Sequence, residues 1–187
     1  MVGDTSGRPN PRPAKLELGE VNVNDILKGV LKLTEPQISK ERIQVKAEFE
    51  EGLPPISGDF NQLEQAFLNI IVNAWQAMPD GGTLSIKTRG QGSSGSLQPI
   101  PDTRSLDAGF VEVRIADTGC GILPENLPHI FSPFFSTKEL RKGTGLGLAI
   151  SQRIIQDHQG TIEAESQSGK GTVFTIKFPK MKEGPHG

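Results

Sequence analysis

Four side-chain amides recur along one segment of the chain at the spacing of a helix face. Gln65, Asn69, Asn73 and Gln76 are separated by four, four and three residues, so a helix would align them in one stripe. A buried amide without a partner costs about 1 to 3 kcal/mol, so these side chains need partners. Amide oxygens one turn apart can ligate a hard cation while amide nitrogens donate to phosphate, which favours a Mg²⁺ and phosphate site. A network of amides that ties two helices together is the alternative interpretation.

A carboxylate followed by two glycines forms the second candidate, in the segment Asp117-Thr118-Gly119-Cys120-Gly121 after a predicted strand. An acid at a strand end accepts hydrogen bonds, and the glycines would let a flat ligand approach the backbone closely. Cys120 lies inside this proposed pocket. An ordinary Asp-Thr-Gly turn is the alternative.

Alternating glycines form the third candidate, in the segment Gly143-Thr144-Gly145-Leu146-Gly147-Leu148 at the start of a predicted helix. The free N–H groups of a helix N-terminus bind phosphate oxygens, although a tight loop that only packs closely would look the same. The spacing does not fit the dinucleotide fingerprint, which needs a preceding strand. The chain also lacks a P-loop motif and the H-R-D and D-F-G motifs of protein kinases.

An aromatic segment with a lysine, 131–138, precedes these glycines and contains Phe131, Phe134 and Phe135 before Lys138. Aromatic side chains can anchor a mobile loop while Lys138 reaches a terminal phosphate. The alternative is that the phenylalanines belong to the core and the cations of this region to the solvated surface.

Helical and strand patterns interleave along the chain that must position these residues. We predict a helix capped by Asn24 or Asp25 with apolar positions up to Leu33, and a half-buried strand over 43–49. The later predicted elements are a helix over 61–78, a strand over 84–88, an exposed insertion over 89–109, a strand over 110–117, a helix over 143–155, and hairpin strands over 161–166 and 172–178. This order predicts an α/β sandwich, a mixed β-sheet covered on one face by helices.

The composition narrows the class of protein. The chain has 187 residues and a net charge of −2 from 20 Lys+Arg and 22 Asp+Glu, which disfavours a nucleic-acid partner or contact with an anionic membrane. Its single cysteine excludes an internal disulfide, and no apolar run is long enough to span a membrane. We expect one domain over 16–180, a disordered leader or linker over 1–15 and a tail over 181–187.

The order of the motifs resembles that of sensor histidine protein kinases. The segments 69–74, 117–121, 131–138, 143–148 and 169–172 are similar to that family's asparagine box, first glycine box, phenylalanine box, second glycine box and final Gly-Thr element. The resemblance covers about 16–180, the catalytic ATP-binding domain, and is closest to nitrogen-regulation-type kinases through 73–82. It implies the Bergerat fold of the GHKL superfamily, with ATP and Mg²⁺ as cofactors.

The resemblance also implies roles for individual residues. Asp117 would accept the adenine amino group, with Gly121 and, through water, Thr172 completing the base pocket. Asn73 and Asn69 would hold Mg²⁺, and Lys138 would neutralise the phosphates from a lid over about 124–144, so that Asn73 and Lys138 are the catalytic candidates. The remaining implied nucleotide-binding positions are Gly119, Ile122, Thr137, Gly143, Thr144, Gly145, Leu146, Gly147 and Leu148.

The sequence departs from the resemblance in two places. Gln76 stands where some members carry a basic residue, so that phosphate contact is in doubt. None of His129, His158 and His186 lies in an H-E-x-x-N-P-like segment, and His158 is interpreted as structural. The phosphoacceptor His is therefore expected on a dimerisation domain of the same parent kinase, absent from this sequence, with a response regulator as indirect partner. This domain is expected to be a cytoplasmic monomer, whether or not the parent is membrane-anchored.

Two other functions compete with the kinase. An ATP-gated switch like those of DNA gyrase or heat-shock chaperones would need a glutamate where Asn69 stands, and an amide cannot act as a base. A nucleotide-free interaction module that kept the fold is the third possibility. The presence together of Asp117, Asn73 and the second-box glycines argues against that module.

Overall fold

The structure, a computed structural model, describes residues 16–90, 109–136 and 144–181. The predicted leader over 1–15, most of the predicted insertion and residues 182–187 of the predicted tail lie outside the described residues. Within the described ranges the elements are β1 (Gly19–Val21), α1 (Val23–Lys40), β2 (Ile43–Phe49), β3 (Ile56–Gly58), α2 (Phe60–Gln76), β4 (Gly82–Gly90), β5 (Phe110–Asp117), a 3₁₀ turn (Leu127–His129), α3 (Gly147–Asp157), β6 (Thr161–Gln167) and β7 (Gly171–Pro179).

A five-stranded mixed sheet forms one layer of the molecule, in the order β2-β4-β5-β7-β6. β2 runs parallel to β4, whereas the other neighbours in this sheet are antiparallel. β1 and β3 form a separate antiparallel pair that the sequence did not indicate, because three-residue strands are too short to show an alternating pattern. The helices lie on one face of the sheet, so the predicted α/β sandwich is confirmed.

Helix α2 is fixed against the sheet by its apolar side. Its fully buried side chains include Leu63, Phe67 and Ile70, and the Phe67 ring meets Phe178 of β7 edge-on at a centroid distance of 6.3 Å. Burying a side chain of this kind contributes about 1.5 to 3 kcal/mol, so α2 cannot rotate without a large loss of stability. The polar residues beside this apolar side are therefore held in a defined position.

The N-terminus of α2 is joined to the C-terminus of α3. Asp59 caps α2 by accepting hydrogen bonds from the N–H groups of Asn61 and Gln62, at 3.0 and 3.2 Å. The Asp59 N–H donates to Nε2 of buried His158 at 2.9 Å, and His158 Nδ1 therefore donates to the Ile154 carbonyl at 2.7 Å. Both ring nitrogens are occupied, which agrees with the structural role predicted for His158.

The cap of α1 differs from the prediction. Asn22 is the cap residue, and its Oδ1 accepts from the Asn24 N–H at 2.9 Å. Asn24 lies inside the helix and is buried, with Nδ2 donating to the Glu50 carbonyl and Oδ1 accepting from the Thr88 hydroxyl. Asn24 thus joins α1 to the residue after β2 and to β4 instead of capping the helix.

Several further boundaries, and the burial of one strand, differ from the predictions. β4 extends to Gly90 by pairing with β5, so residues 89 and 90 of the predicted insertion belong to a strand. α3 begins at Gly147 rather than Gly143, and α2 ends at Gln76. β2 is mostly exposed beyond Ile43, rather than half-buried, because it is the edge strand of the sheet.

In the described part of the chain, none of the helices is both long and apolar enough to cross a bilayer.

Candidate functional site

A cavity of about 430 Å³ lies between α2, the loop after β5, the start of α3 and the start of β7. Ten of the predicted site residues line it: Asn69, Asn73, Asp117, Gly121, Ile122, Thr144, Gly145, Gly147, Leu148 and Thr172. Gly119 and Leu146 do not line the cavity, although both lie in loops that form it. The predicted site residues Thr137, Lys138 and Gly143 lie outside the described residues.

Asp117 ends β5 at the wall of this cavity with its side chain buried. Its Oδ1 accepts hydrogen bonds from the N–H groups of Gly119 and Thr172, at 2.8 and 3.3 Å. Among the residues that the structure describes, no donor reaches Oδ2, so this oxygen can accept from a ligand. Burial raises the pKa of the Asp117 carboxyl, and the two backbone hydrogen bonds oppose this effect.

The loop after β5 approaches other backbone segments too closely for side chains at its glycines. A Cβ at Gly119 would overlap the Ala77 carbonyl at the end of α2, and a Cβ at Gly121 would overlap the Gln167 carbonyl. A Cβ at Gly171 would overlap the Asp117 carbonyl. These three glycines therefore lock the loop between α2 and the β6–β7 hairpin, which explains the role of Gly119 although it does not line the cavity.

We expect Gly121→Ala to destabilise the chain far more than Gly169→Ala. Both glycines have positive φ, +69° and +76°, so each substitution carries about 1 to 2 kcal/mol of backbone strain. Only at Gly121 does the new Cβ also meet backbone atoms, since nothing lies within 4 Å of the Cβ position at Gly169. Denaturant unfolding of both variants measures the difference, and equal losses would contradict the close packing of the loop.

The amides of α2 divide into two half-buried and two exposed side chains. Asn69 Nδ2 donates to the Gly147 carbonyl at 3.2 Å, and Asn73 Nδ2 donates to the Asn69 carbonyl at 2.9 Å. Oδ1 is the atom that an asparagine side chain can offer to a hard cation, because the amide nitrogen is a hydrogen-bond donor and not a ligand. Gln65 and Gln76 are exposed. The Asn69 bond to α3 also shows that the alternative interpretation, an amide contact between helices, is correct for this residue.

The aromatic segment and the residue before it contribute both to the cavity wall and to the packing beside it. Phe135 and Ile130 line the cavity, and Phe131 packs edge-on against Phe174 of β7 at 6.5 Å. Phe134 is 77% exposed with a φ of +65°. The interpretation of these phenylalanines as core residues therefore applies to Phe131 but not to Phe134.

Ser166 of β6 does not line the cavity, but it bonds to two residues that do, and the sequence analysis missed it. Its Oγ lies 2.8 Å from the Ile122 nitrogen, 2.9 Å from the Gly171 carbonyl oxygen and 2.9 Å from the Thr172 hydroxyl. It thus joins the loop after β5 to the start of β7. The sequence gives no direct signal for this role, which depends on the pairing of β6 with β7 and on a loop 44 residues away.

Some residues that line the cavity were also not predicted as site residues. Phe174 could have been found from strand alternation, because it follows Thr172 by two residues on β7 and so faces the same side. The other lining residues that were not predicted are Val72, Gln76, Ala77, Cys120, Ile130, Phe135 and Ser136. Gln76 was noted in the amide stripe and Cys120 was expected in the pocket.

The cavity, the acid at its wall and the asparagines of α2 define a class of protein. Residues 58–182 match the family model described as histidine kinase-, DNA gyrase B- and HSP90-like ATPase. The chain belongs to this family. Within it, the similar proteins reported below are sensor histidine kinases.

Two curated relatives illustrate the similarity. Sporulation kinase E of Bacillus subtilis is 35% identical over 168 residues, which is 90% of this chain and 20% of that protein. Sensor histidine kinase ZraS of Salmonella typhimurium is 38% identical over 168 residues, which is 90% of this chain and 32% of that protein. The chain therefore spans a fifth to a third of the length of these relatives.

Solved structures of histidine kinases share the fold. The catalytic domain of histidine kinase ThkA, in a nucleotide-free form, is 31% identical with a TM-score of 0.70, covering 88% of this chain and 96% of that one. ShkA, solved at full length with AMPPNP, is 26% identical with a TM-score of 0.71, covering 90% of this chain and 33% of that one. ThkA has also been solved with the response regulator protein TrrA. That structure is 29% identical with a TM-score of 0.67, covering 89% of this chain and 42% of that one.

Proposed function

We propose that this chain is the ATP-binding catalytic domain of a two-component sensor histidine kinase. It would transfer the γ-phosphate of ATP to a His on a dimerisation domain outside this sequence. The observation that carries the proposal is the pairing, in one cavity, of the buried Asp117 carboxylate with the Asn69 and Asn73 amides of α2. The carboxylate suits the amino group of a nucleobase, and the two amides suit a cation bound to phosphates.

The Asp117 end of the cavity supports recognition of adenine. Oδ2 would accept from the 6-amino group, because an ionised carboxylate can only accept hydrogen bonds. Thr172 and Gly121 line the cavity beside it. The half-buried aliphatic side chains of Ile122 and Leu148 add apolar surface for the ring.

Protonation of Asp117 should weaken this recognition. Burial raises the pKa of its carboxyl, so the empty site takes up a proton at a higher pH than an ordinary aspartate does. Because Oδ1 already accepts two N–H groups, the proton of the neutral form would lie on Oδ2, and a hydroxyl accepts from the 6-amino group more weakly than a carboxylate oxygen does. Adenosine affinity should therefore fall as the pH falls through that pKa, with a proton released on binding. Calorimetry of adenosine binding in buffers of different ionisation enthalpy measures this proton. Affinity that stays constant until ordinary carboxyls titrate would contradict the prediction.

The opposite end of the cavity supports a phosphate and cation site. The amide oxygens of Asn69 and Asn73 suit Mg²⁺, which would neutralise charge on the triphosphate when bound. The segment before α3 offers backbone N–H groups near Gly145 and Gly147, where the helix dipole also favours anions. Lys138 is proposed to approach the phosphates from the lid over about 124–144.

Placement and charge stabilisation would supply the catalysis in this arrangement. The phosphoryl group needs little covalent help from the protein once it is aligned with an incoming imidazole. Asn69 bears on the choice between kinase and switch ATPase, because it stands on the cavity side of α2 where the switch ATPases are expected to carry a glutamate. An amide cannot take a proton from an attacking water, so the kinase is favoured.

The proposal extends to partners and location. The direct partner would be the His-bearing dimerisation domain of the same parent kinase, and a response regulator would receive the phosphate afterwards. The chain is proposed to be a cytoplasmic monomer that contacts neither nucleic acid nor membrane. The domain is proposed to span 16–180.

Thermal unfolding with Mg-ATP and with Mg-GTP tests the nucleotide site. Ligand at 100 times its dissociation constant adds about 2.7 kcal/mol, which raises the thermal midpoint of a domain of this size by about 5 to 11 °C. A rise with ATP and little change with GTP is expected. No rise with either nucleotide at millimolar concentration would favour the interaction module instead.

Transfer to a separate His-bearing dimerisation domain tests the activity. The chain should label that domain from γ-labelled ATP, and a His→Gln variant of the acceptor should stay unlabelled. Release of inorganic phosphate at the same rate with or without the acceptor, and no labelled acceptor, would support the switch ATPase.

A further inference from the structure

Ser151 of α3 links α3 to α2 without lining the cavity. It is fully buried, and its hydroxyl donates to the Gly147 carbonyl of α3 at 2.9 Å and to the Ala66 carbonyl of α2 at 3.1 Å. A serine hydroxyl has one proton, so the two carbonyls share it in a three-centre bond. The bond within α3 is common for a serine in a helix, whereas the bond to α2 joins residues that are 85 positions apart.

The Gly147 carbonyl is also held by α2 directly. It accepts from Asn69 Nδ2 at 3.2 Å, so the first residue of α3 is tied to α2 by the Asn69 amide and, through the shared proton, by Ser151. The side chains of Asn69 and Asn73 lie 3.8 Å from the point that a Cβ at Gly147 would occupy. The first turn of α3 therefore lies against the two amides that are proposed as cation ligands.

This first turn carries backbone groups that are proposed to receive the phosphates. The first N–H groups of a helix lack acceptors within the helix, and Leu146, the residue before α3, supplies no side-chain cap. Gly145 and Gly147 line the cavity. The position of this turn relative to α2 thus decides whether its N–H groups and the Asn69 amide oxygen can reach the same phosphates and their cation.

We propose that Ser151 is a positioning residue that holds the first turn of α3 on α2, so that the N–H groups of this turn and the Asn69 amide oxygen are aligned on one phosphate and cation site. This inference rests on the proposed nucleotide function. Ser151 touches no ligand and acts through the Gly147 carbonyl. The base end of the cavity, which Asp117 of β5 and Thr172 of β7 line, does not depend on it.

Calorimetry of nucleotide binding to Ser151→Ala tests the proposal. Affinity for Mg-ATP should fall about fivefold, as expected for the loss of one hydrogen bond, whereas affinity for adenosine should change less than about twofold. In the series adenosine, AMP, ADP and ATP, the loss should be absent for adenosine and largest for ATP. Should the alanine variant not fold, Ser151→Cys carries the same test with a weaker donor of similar size.

A pair of variants with the same shape isolates the hydroxyl. Ser151→Thr and Ser151→Val add the same methyl group at a buried position, and only the threonine keeps a hydroxyl that can donate to the carbonyl one turn back. Ser151→Thr should therefore bind Mg-ATP about fivefold more tightly than Ser151→Val does. The two variants should bind adenosine equally.

Ile155→Val is the control for a general loosening of α3. Ile155 is another fully buried side chain of this helix, one turn beyond Ser151, and the substitution removes one methyl group from the core. It should lower stability and leave both affinities unchanged. The proposal would be overturned by the same selective loss of Mg-ATP in Ile155→Val, by equal weakening of Mg-ATP and adenosine in Ser151→Ala, or by equal Mg-ATP affinities of the threonine and valine variants.

The wild-type chain distinguishes the two levels of the inference. Wild-type binding to neither Mg-ATP nor adenosine would overturn the proposed function, and the role of Ser151 with it. Wild-type binding of Mg-ATP that Ser151→Ala leaves intact would overturn only the role of Ser151.

Discussion

Asp117→Asn is expected to weaken ATP binding by about 100-fold, or about 2.7 kcal/mol, without unfolding the chain. The amide oxygen of Asn can still accept from the Gly119 and Thr172 N–H groups that Oδ1 accepts from now. The amide nitrogen then takes the place of Oδ2 and presents a donor to the 6-amino group of adenine, which is also a donor. The mismatch is confined to the ligand, and the loop keeps its hydrogen bonds.

Calorimetry and thermal unfolding together measure this outcome. Without ligand, the midpoint of Asp117→Asn should equal or exceed that of the wild type, because the substitution removes a charge whose burial raises its pKa. Asp80→Asn makes the same chemical change at an exposed position after α2 and should bind ATP like the wild type. Binding of ATP by Asp117→Asn within a few-fold of the wild type would mean that this carboxylate does not recognise the base.

Asn73→Ala is expected to lower phosphoryl transfer by at least about 100-fold and to weaken Mg-ATP far more than adenosine. The Asn73 side chain lies on the cavity, and its Nδ2 is held by the Asn69 carbonyl, so its oxygen is aimed by a contact within α2. Removing this oxygen would take away a proposed cation ligand and would leave the proposed base pocket intact. Adenosine, which carries neither phosphate nor metal, should therefore bind nearly as before.

Gln65→Ala is the matched control for this prediction. Gln65 belongs to the same amide stripe, two turns before Asn73, but is exposed and does not line the cavity. Its removal should leave Mg-ATP and adenosine binding unchanged. Equal losses of Mg-ATP and adenosine affinity in Asn73→Ala would exclude a metal role for this amide.

Features that depend on neighbouring residues in the sequence were predictable. The amides of α2 share one side of a helix whose apolar periodicity was clear, and Asp117 follows an unmistakable strand. The alternation of apolar and polar residues likewise located β2, β5 and the β6–β7 hairpin. These patterns were enough to predict a mixed sheet with a helical layer, whereas many of the individual positions around the cavity came from the resemblance to sensor histidine kinases.

Features that depend on distant contacts were not predictable. Asn24 looked like a helix cap, but its side chain bonds to Glu50 and Thr88, which are 26 and 64 residues away. The alternation in β2 predicted one buried face, whereas its place at the sheet edge leaves Val45 38% exposed. Ser166 gained its role from a loop 44 residues earlier in the chain. Long-range pairing decides all three, and no local pattern reports it.

The close packing of the loop after β5 has a consequence for binding kinetics. Gly119, Gly121 and Gly171 hold this loop against α2 and the hairpin so tightly that a methyl group would not fit. A base entering such a pocket has no loop to order, so little conformational entropy is lost at this end of the cavity. Adenosine should accordingly associate in a single fast phase whose rate is proportional to its concentration.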